Sequence, residues 1–200
     1  RLVGRVLQGV DGHHSVRRPA GQSRLLEAAL AELGAARHAE LGYALPSVDS
    51  GYGYGTSEAV LAFQKVHGLP RTGRVDRRFW RVLAGASRPR PRVPRGDYLE
   101  VSKSRQTLYE VRDGEVERVI HVSTGATGNT PVGTWRVYRD VFGWDWVLYH
   151  PMYFLRGFAI HGFPSVPAWP ASHGCVRIPL WLASGLRERW GYGSVVRVYS

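Results

Sequence analysis

From Gly85 to Gly96 the chain reads GASRPRPRVPRG, and its hydrophobic period changes across that stretch. Alternating proline and arginine offers no apolar face to bury and repels itself, which predicts an extended spacer. A chain divided in this way has to build two cores, one from the residues on each side. On the N-terminal side the period is helical. Ser23–Leu41 places Leu26, Leu30 and Leu33 at spacings of three and four, giving one apolar stripe. After a glycine-rich turn, Thr56 or Ser57 is the expected cap of a second helix, with Ala59, Val60, Phe63 and Val66 on one side and Gly68 at its end. Asp76 is the expected N-cap of a third helix carrying Phe79, Trp80 and Leu83.

Beyond the spacer the period drops to two. Tyr98–Ser102 and Thr107–Val111 alternate, and Asp113-Gly114 supplies a two-residue turn into Val116–Val122. Thr134–Tyr138, Trp146–Tyr149, Phe158–His161 and Val195–Tyr199 are further strand candidates, and one helix is expected over Leu180–Trp190. The predicted architecture is α+β and multidomain. A basic tail (1–22) leads into a small all-α three-helix domain (23–84). The Pro/Arg linker (85–96) then joins it to a mainly β, sandwich- or barrel-like domain with a short helix (97–200).

The formal charge of +11 invites a nucleic-acid reading, but its placement weakens it. Residues 1–24 hold five arginines against one aspartate, and 85–96 hold four arginines and no acid, while both presumed folded parts are nearly balanced. No nucleic-acid motif accompanies the excess, so no nucleic-acid partner is expected; an anionic cell envelope suits a basic tail and linker equally well. No run approaches the roughly 20 apolar residues of a membrane helix, and no leader pattern opens the chain at Arg1. Neither a membrane span nor an export signal is therefore expected within it.

Cys175 is the one cysteine, which excludes an internal disulfide and a Cys-pair zinc site. Its neighbours are suggestive: His161-Gly162 end a predicted strand, and Ser172-His173-Gly174-Cys175-Val176-Arg177 follow a loop rich in proline and glycine. A thiol attacks as its anion, so a base must take its proton, and an imidazole can do this and later protonate a leaving amine. In an extended segment His173 and Cys175 share a face. Gly174 lets backbone approach a substrate, its N–H and that of Cys175 can serve an oxyanion hole, and Arg177 suits a substrate carboxylate. Other readings stay open from these residues alone. Cys175 can be a small buried hydrophobe, and His161, His173 and Cys175 can ligate zinc, although the usual fourth ligand and spacing are missing. Trp144, Trp146, Tyr153, Phe154 and Trp169 fit a groove wall or a core.

SHGCVR preceded by HG, with fourteen positions from His161 to Cys175, resembles the signature of the L,D-transpeptidase (YkuD-type) catalytic domain. Val122-Ser123-Thr124-Gly125 and Thr130-Pro131-Val132-Gly133-Thr134 resemble that family's STG and TPxG run, and Tyr98–Tyr109 its opening strands. The resemblance covers most of residues 97–200. In the first domain SEAVLAFQ (57–64), Gly68-Leu69, Thr72-Gly73 and Val75-Asp76 resemble the peptidoglycan-binding domain type 1, over roughly 23–84. That family's N-terminal LQxxL element is altered here, and 35–39 reads as an insertion. A helical spacer with Phe63 and Trp80 as plain core is the other reading of this unit.

The resemblance implies a cysteine acyltransferase that joins stem peptides of peptidoglycan 3→3 through a thioester and releases D-alanine. Cys175 matches the nucleophile, His161 the proton donor and acceptor, and the Gly162 carbonyl the group orienting that imidazole, where relatives often have serine. Ser172, His173, Gly174 and Arg177 match the remaining motif positions around the oxyanion site and pocket, and Tyr153 and Trp169 are the substrate-binding candidates. No metal or organic cofactor is implied. The implied partners are stem peptides, glycan strands and carbapenem-type β-lactams, in a secreted, cell-wall setting. An L,D-carboxypeptidase using water as acceptor, and a non-catalytic peptidoglycan-binding protein, are the alternatives.

Overall fold

The computed structural model describes residues 34–46 and 52–200; the basic tail and the stripe of Leu26, Leu30 and Leu33 lie outside them. Helix α1 is described over 34–40. Helix α2 (Tyr54–Val66) starts earlier than expected, on Gly53 with no side-chain cap. Neither Thr56 nor Ser57 caps it, because both lie a turn inside; the Ser57 hydroxyl instead donates to the Gly73 carbonyl at 3.2 Å. Gly68 follows the helix at φ 64°. Helix α3 (Arg77–Gly85) begins as the sequence predicts, Asp76 Oδ1 accepting the Phe79 N–H at 2.7 Å.

β1 (Tyr98–Ser102), β2 (Thr107–Arg112) and β3 (Glu115–His121) form an antiparallel meander. Its second turn, Asp113-Gly114, has positive φ at both residues (49° and 78°), which matches the right-handed twist of the flanking strands. Then follow β4 (Gly133–Arg136), β5 (Arg139–Asp140), β6 (Trp144–Asp145), β7 (Leu148–Leu155), β8 (Phe158–Phe163), β9 (Val176–Pro179), helix α4 (Leu180–Trp190) and β10 (Val195–Tyr199). One sheet runs β3-β2-β1-β10-β4, and the other runs β5-β7-β8-β9 with β6 also on β7. The strand expected over Trp146–Tyr149 is broken, since Trp146 sits at φ 57° in the tight turn between β6 and β7. β5, β6 and β9 have no counterpart in the sequence reading; β9 is four residues long and follows a loop without alternation.

The two sheets and α4 enclose one core. Leu99, Val101, Leu108 and Ile120 meet Met152, Phe154, Ile160, Val176 and Ile178, closed by Leu186 and Trp190. Phe154 is therefore core. The other face of the first sheet is also buried: Tyr98, Tyr109, Val116 and Val119 pack against Phe63, Phe79 and Leu83 of the helices. The helical unit shares a core with the sheet instead of hanging from it. Phe63 is fully buried at its centre, where truncation to alanine costs about 3–5 kcal/mol. The Pro/Arg segment is correspondingly pinned rather than free. Val93 packs on this second core, Arg88 donates to the Val116 and Glu40 carbonyls, and Tyr98 Oη donates to the Val93 carbonyl at 2.6 Å.

Candidate active site

β8 and β9 are parallel neighbours, Ile160 opposite Val176 and His161 opposite Arg177. Ile160 and Val176 both point into the core, so alternation places His161, Arg177 and Cys175 on the other face. Cys175 lies one register step before Val176 and His161 one step after Ile160, which makes thiol and imidazole diagonal neighbours across adjacent strands. The parallel pairing is what turns a fourteen-residue separation into proximity.

His161 is buried, and its Nδ1 lies 2.9 Å from the Gly162 carbonyl oxygen. A carbonyl only accepts, so Nδ1 carries the hydrogen and Nε2 holds a free lone pair. Burial, reinforced by the Arg177 charge, lowers the His161 pKa to about 4. Near neutral pH the ring is thus an uncharged base in one tautomer. The Cys175 Sγ donates weakly to the Gly157 carbonyl at 3.6 Å. Burial pushes the thiol pKa up, while the Ala159 N–H and Arg177 pull it down. The resting pair is neutral thiol beside neutral imidazole, not an ion pair.

The turn before Cys175 is held from several sides. Ser172 Oγ donates to the Cys175 carbonyl at 2.5 Å and accepts the Gly174 N–H at 3.0 Å, so that amide is engaged in the resting protein. The chain bends through 173–175 instead of running extended, leaving the His173 ring exposed while its carbonyl accepts from Asn129 Nδ2 at 2.8 Å. Thr130 Oγ1 donates to the Gly174 carbonyl at 2.7 Å and accepts the Gly125 N–H at 2.8 Å. The STG run serves as a cradle: Ser123 exchanges both backbone hydrogen bonds with Arg177, and the Thr124 carbonyl accepts the Ala171 and Ser172 amides. Gly125 must be small, since a Cβ there would lie 3.0 Å from Gly174 Cα.

Gly174 is both enclosed and at positive φ. Its φ is 136°, and an added Cβ would fall 2.5 Å from the Phe158 ring. Gly174→Ala should therefore lose most acyl-transfer activity, on the order of 10²-fold, because the strained turn re-aims the Cys175 amide and thiol. Single-turnover acylation of the purified variant measures this; a wild-type rate would show that the turn tolerates the shift.

Arg177 stacks its guanidinium over the Phe163 ring at 4.2 Å. Tyr153 is 9% exposed and donates to Asp145 Oδ2 at 2.8 Å. Burial, this carboxylate and the nearby Cys175 raise its pKa to about 12. Trp169 is 64% exposed on the loop 164–171, its carbonyl accepting from Ser123 Oγ at 2.7 Å. Trp144 is exposed, and Trp146 is 88% exposed at the β6–β7 turn. Among the described residues no cluster of three or more His, Cys, Asp or Glu is arranged to hold a metal ion, and no helix is long and apolar enough to cross a membrane.

Several site contributors carried no recognisable signal in the sequence. Gln106, at φ 59°, uses its buried amide to accept the Thr124 N–H and donate to Thr124 Oγ1. His121 and Lys65 lie behind it, and nothing local distinguishes a buried lysine from a solvated one.

Burial also depresses the pKa of two other histidines, His38 and His121, to about 3. Together with His161 they stay neutral in the fold, whereas the unfolded chain protonates them below about 6.5. The unfolded state then binds more protons between pH 6.5 and about 4, so stability falls as the pH drops through that window. Thermal melts should move steadily downward from pH 7 to 4.5; a flat Tm would mean that these rings are protonated in the fold.

A two-sheet β domain carries a thiol and a tautomer-fixed imidazole on adjacent parallel strands, cradled by an STG turn, an arrangement chemically able to pass an acyl group through sulfur. The family model of the L,D-transpeptidase catalytic domain matches residues 96–198, and that of the type 1 peptidoglycan binding domain matches 22–83. The chain belongs to the L,D-transpeptidase (YkuD) family. It is similar to the crystal structure of the L,D-transpeptidase from Xylanimonas cellulosilytica DSM 15894, with TM-score 0.81 and 34% identity over 84% of this chain and 92% of that one. The L,D-transpeptidase from Stackebrandtia nassauensis shares the fold, with TM-score 0.53 and 24% identity over 84% and 90% of the two chains. No curated protein matches the sequence.

Proposed function

We propose that the protein forms 3→3 crosslinks between peptidoglycan stem peptides through a thioester on Cys175. The carrying observation is the register of β8 and β9, which sets a neutral His161 with a free Nε2 diagonally from the thiol on one face. In the first half-reaction Nε2 takes the Cys175 proton as sulfur attacks the carbonyl of the donor's third residue, an L-centre of a diamino acid. The tetrahedral oxyanion collapses to the thioester, and His161 returns the proton to the departing D-alanine nitrogen. An acceptor side-chain amine then attacks the thioester, losing its proton to His161, and Cys175 leaves and is reprotonated. Gly162 holds the ring in its tautomer throughout.

The Gly174 N–H is engaged by Ser172 Oγ, so the Cys175 amide is the donor that this turn offers the oxyanion. One such donor contributes about 3 kcal/mol to the transition state. Arg177, beside both reacting groups and braced on Phe163, disfavours imidazolium before attack and favours thiolate during it. Its charge and the exposed Trp169 suit the donor's carboxylate and apolar stem. The same thioester chemistry makes carbapenem-type β-lactams acylating inhibitors, and the substrate places the protein in the cell wall.

Two measurements test this reading. Intact mass after incubation with a carbapenem should rise by one inhibitor on wild type; no adduct would leave a peptidoglycan-binding protein without catalysis. Mass spectrometry of products from a disaccharide-tetrapeptide should show crosslinked dimers and free D-alanine. Trimmed tripeptides alone would make the protein an L,D-carboxypeptidase.

A further inference from the structure

We propose that Lys65, on α2 of the helical unit, is a positioning residue for the Cys175 turn, so that this unit belongs to the acyl-transfer apparatus as well as to wall attachment. The inference rests on reading Cys175 as the nucleophile. Lys65 is 3% exposed, an unusual place for a lysine amine, and it reaches across the shared core into the β domain. Its Nζ donates to the Gln106 carbonyl at 3.0 Å and the Val122 carbonyl at 2.9 Å, and contacts His121 Nδ1 at 2.5 Å. His121 Nε2 lies 2.7 Å from the Val166 carbonyl and 3.1 Å from Glu58 Oε2. A carbonyl only accepts, so Nε2 carries the hydrogen and Nδ1 is bare to accept from Lys65. Three acceptors thus surround one Nζ, whose pKa burial and the nearby Arg71 charge lower to about 6.

Two routes lead from there to the nucleophile. Gln106, its carbonyl held by Lys65, grips Thr124 through its side-chain amide at 2.7 and 2.8 Å. Thr124 holds the Ala171 and Ser172 amides, and Ser172 Oγ clasps Gly174 and the Cys175 carbonyl. By the second route His121 ties down Val166 in the loop that joins His161 to Cys175. Arg71, also of the helical unit, clasps the same loop at the Ala168 carbonyl (3.3 Å) and reaches the Ser104 carbonyl (3.0 Å). Every link is a hydrogen bond to a buried or backbone group with one satisfying geometry, so displacing the Lys65 Nζ frees the turn to wander. Reactions of this kind lose rate steeply for small misplacements of the attacking atom.

The test uses the full chain and a carbapenem, reading saturating acylation rate and half-saturation concentration separately. Lys65→Met keeps the side chain's length and removes its N–H donors; Thr124→Val removes the hydroxyl to which Gln106 Nε2 donates. Both should fall about tenfold or more in saturating rate at unchanged half-saturation. Leu83→Ala, in the helical core but outside both routes, should keep the wild-type rate below its own melting temperature. If Lys65→Met does not fold, Thr124→Val decides. Wild-type rates in the folded variants would overturn the proposal, as would an equal fall in Leu83→Ala, which would mean that only general stability was being read. Absence of acylation in wild type itself would instead sink the assignment of Cys175.

Discussion

Cys175→Ala is expected to yield a folded protein that takes up no carbapenem and releases no D-alanine, with turnover reduced by roughly 10⁴-fold or more. No other group in the turn can replace the sulfur: Ser172 Oγ is committed to the Gly174 amide and the Cys175 carbonyl, and the chain has no second cysteine. The fold should barely notice. The thiol is half-buried and makes one weak 3.6 Å hydrogen bond, so its loss opens little space and leaves no strong donor or acceptor unpaired. Thermal melting within a few degrees of wild type, together with absent acylation, is the expected pair of results. Retained donor cleavage would refute the thioester mechanism.

His161→Gln should cost about 10²–10⁴-fold in acylation and, more tellingly, change its pH dependence. In the wild type the resting pair is neutral, since burial holds the imidazole pKa near 4 and raises that of the thiol. The base is competent everywhere above pH 4–5, so the acylation rate should stay nearly flat through neutrality and decline only as acid protonates His161. Without the imidazole only pre-ionised thiolate can react. The variant's rate should then climb about tenfold per pH unit across the neutral and mildly alkaline range. A flat profile in His161→Gln would mean that another group takes the proton. A steep neutral-range profile in the wild type would point to a thiolate formed before attack.

Much of the frame was legible from local pattern. The Asp76 cap, the Asp113-Gly114 turn and the helix over Leu180–Trp190 each depend on residues within a few positions of one another, and all stand where the periodicity puts them. The family was legible for a different reason: the residues that carry the resemblance are contiguous, and STG, TPxG and SHGCVR are unusual strings. Elements set by contacts far along the chain were not legible. β9 forms because β8 offers a parallel edge, and the Trp146 break follows from a turn that alternation cannot reveal. The helix cap expected at Thr56 or Ser57 failed because a capping residue type one turn inside a helix looks the same in sequence as one at its start.

The spacer shows the limit most clearly. It lies between α3 and β1, but composition describes only what a segment does when nothing packs on it. Here β1–β3 present a second apolar face, and the helices cover it, drawing Val93 and Arg88 down with them. Hydrophobic order along the chain thus determined where the helical half gives way to the stranded half and where most of the long elements lie, because those are short-range preferences. Only the tertiary fold decided that both faces of the first sheet are buried, that Lys65 lies behind the active-site loop, and that one histidine is uncharged in a single tautomer. Burial and hydrogen-bond partners exist only once distant strands are paired.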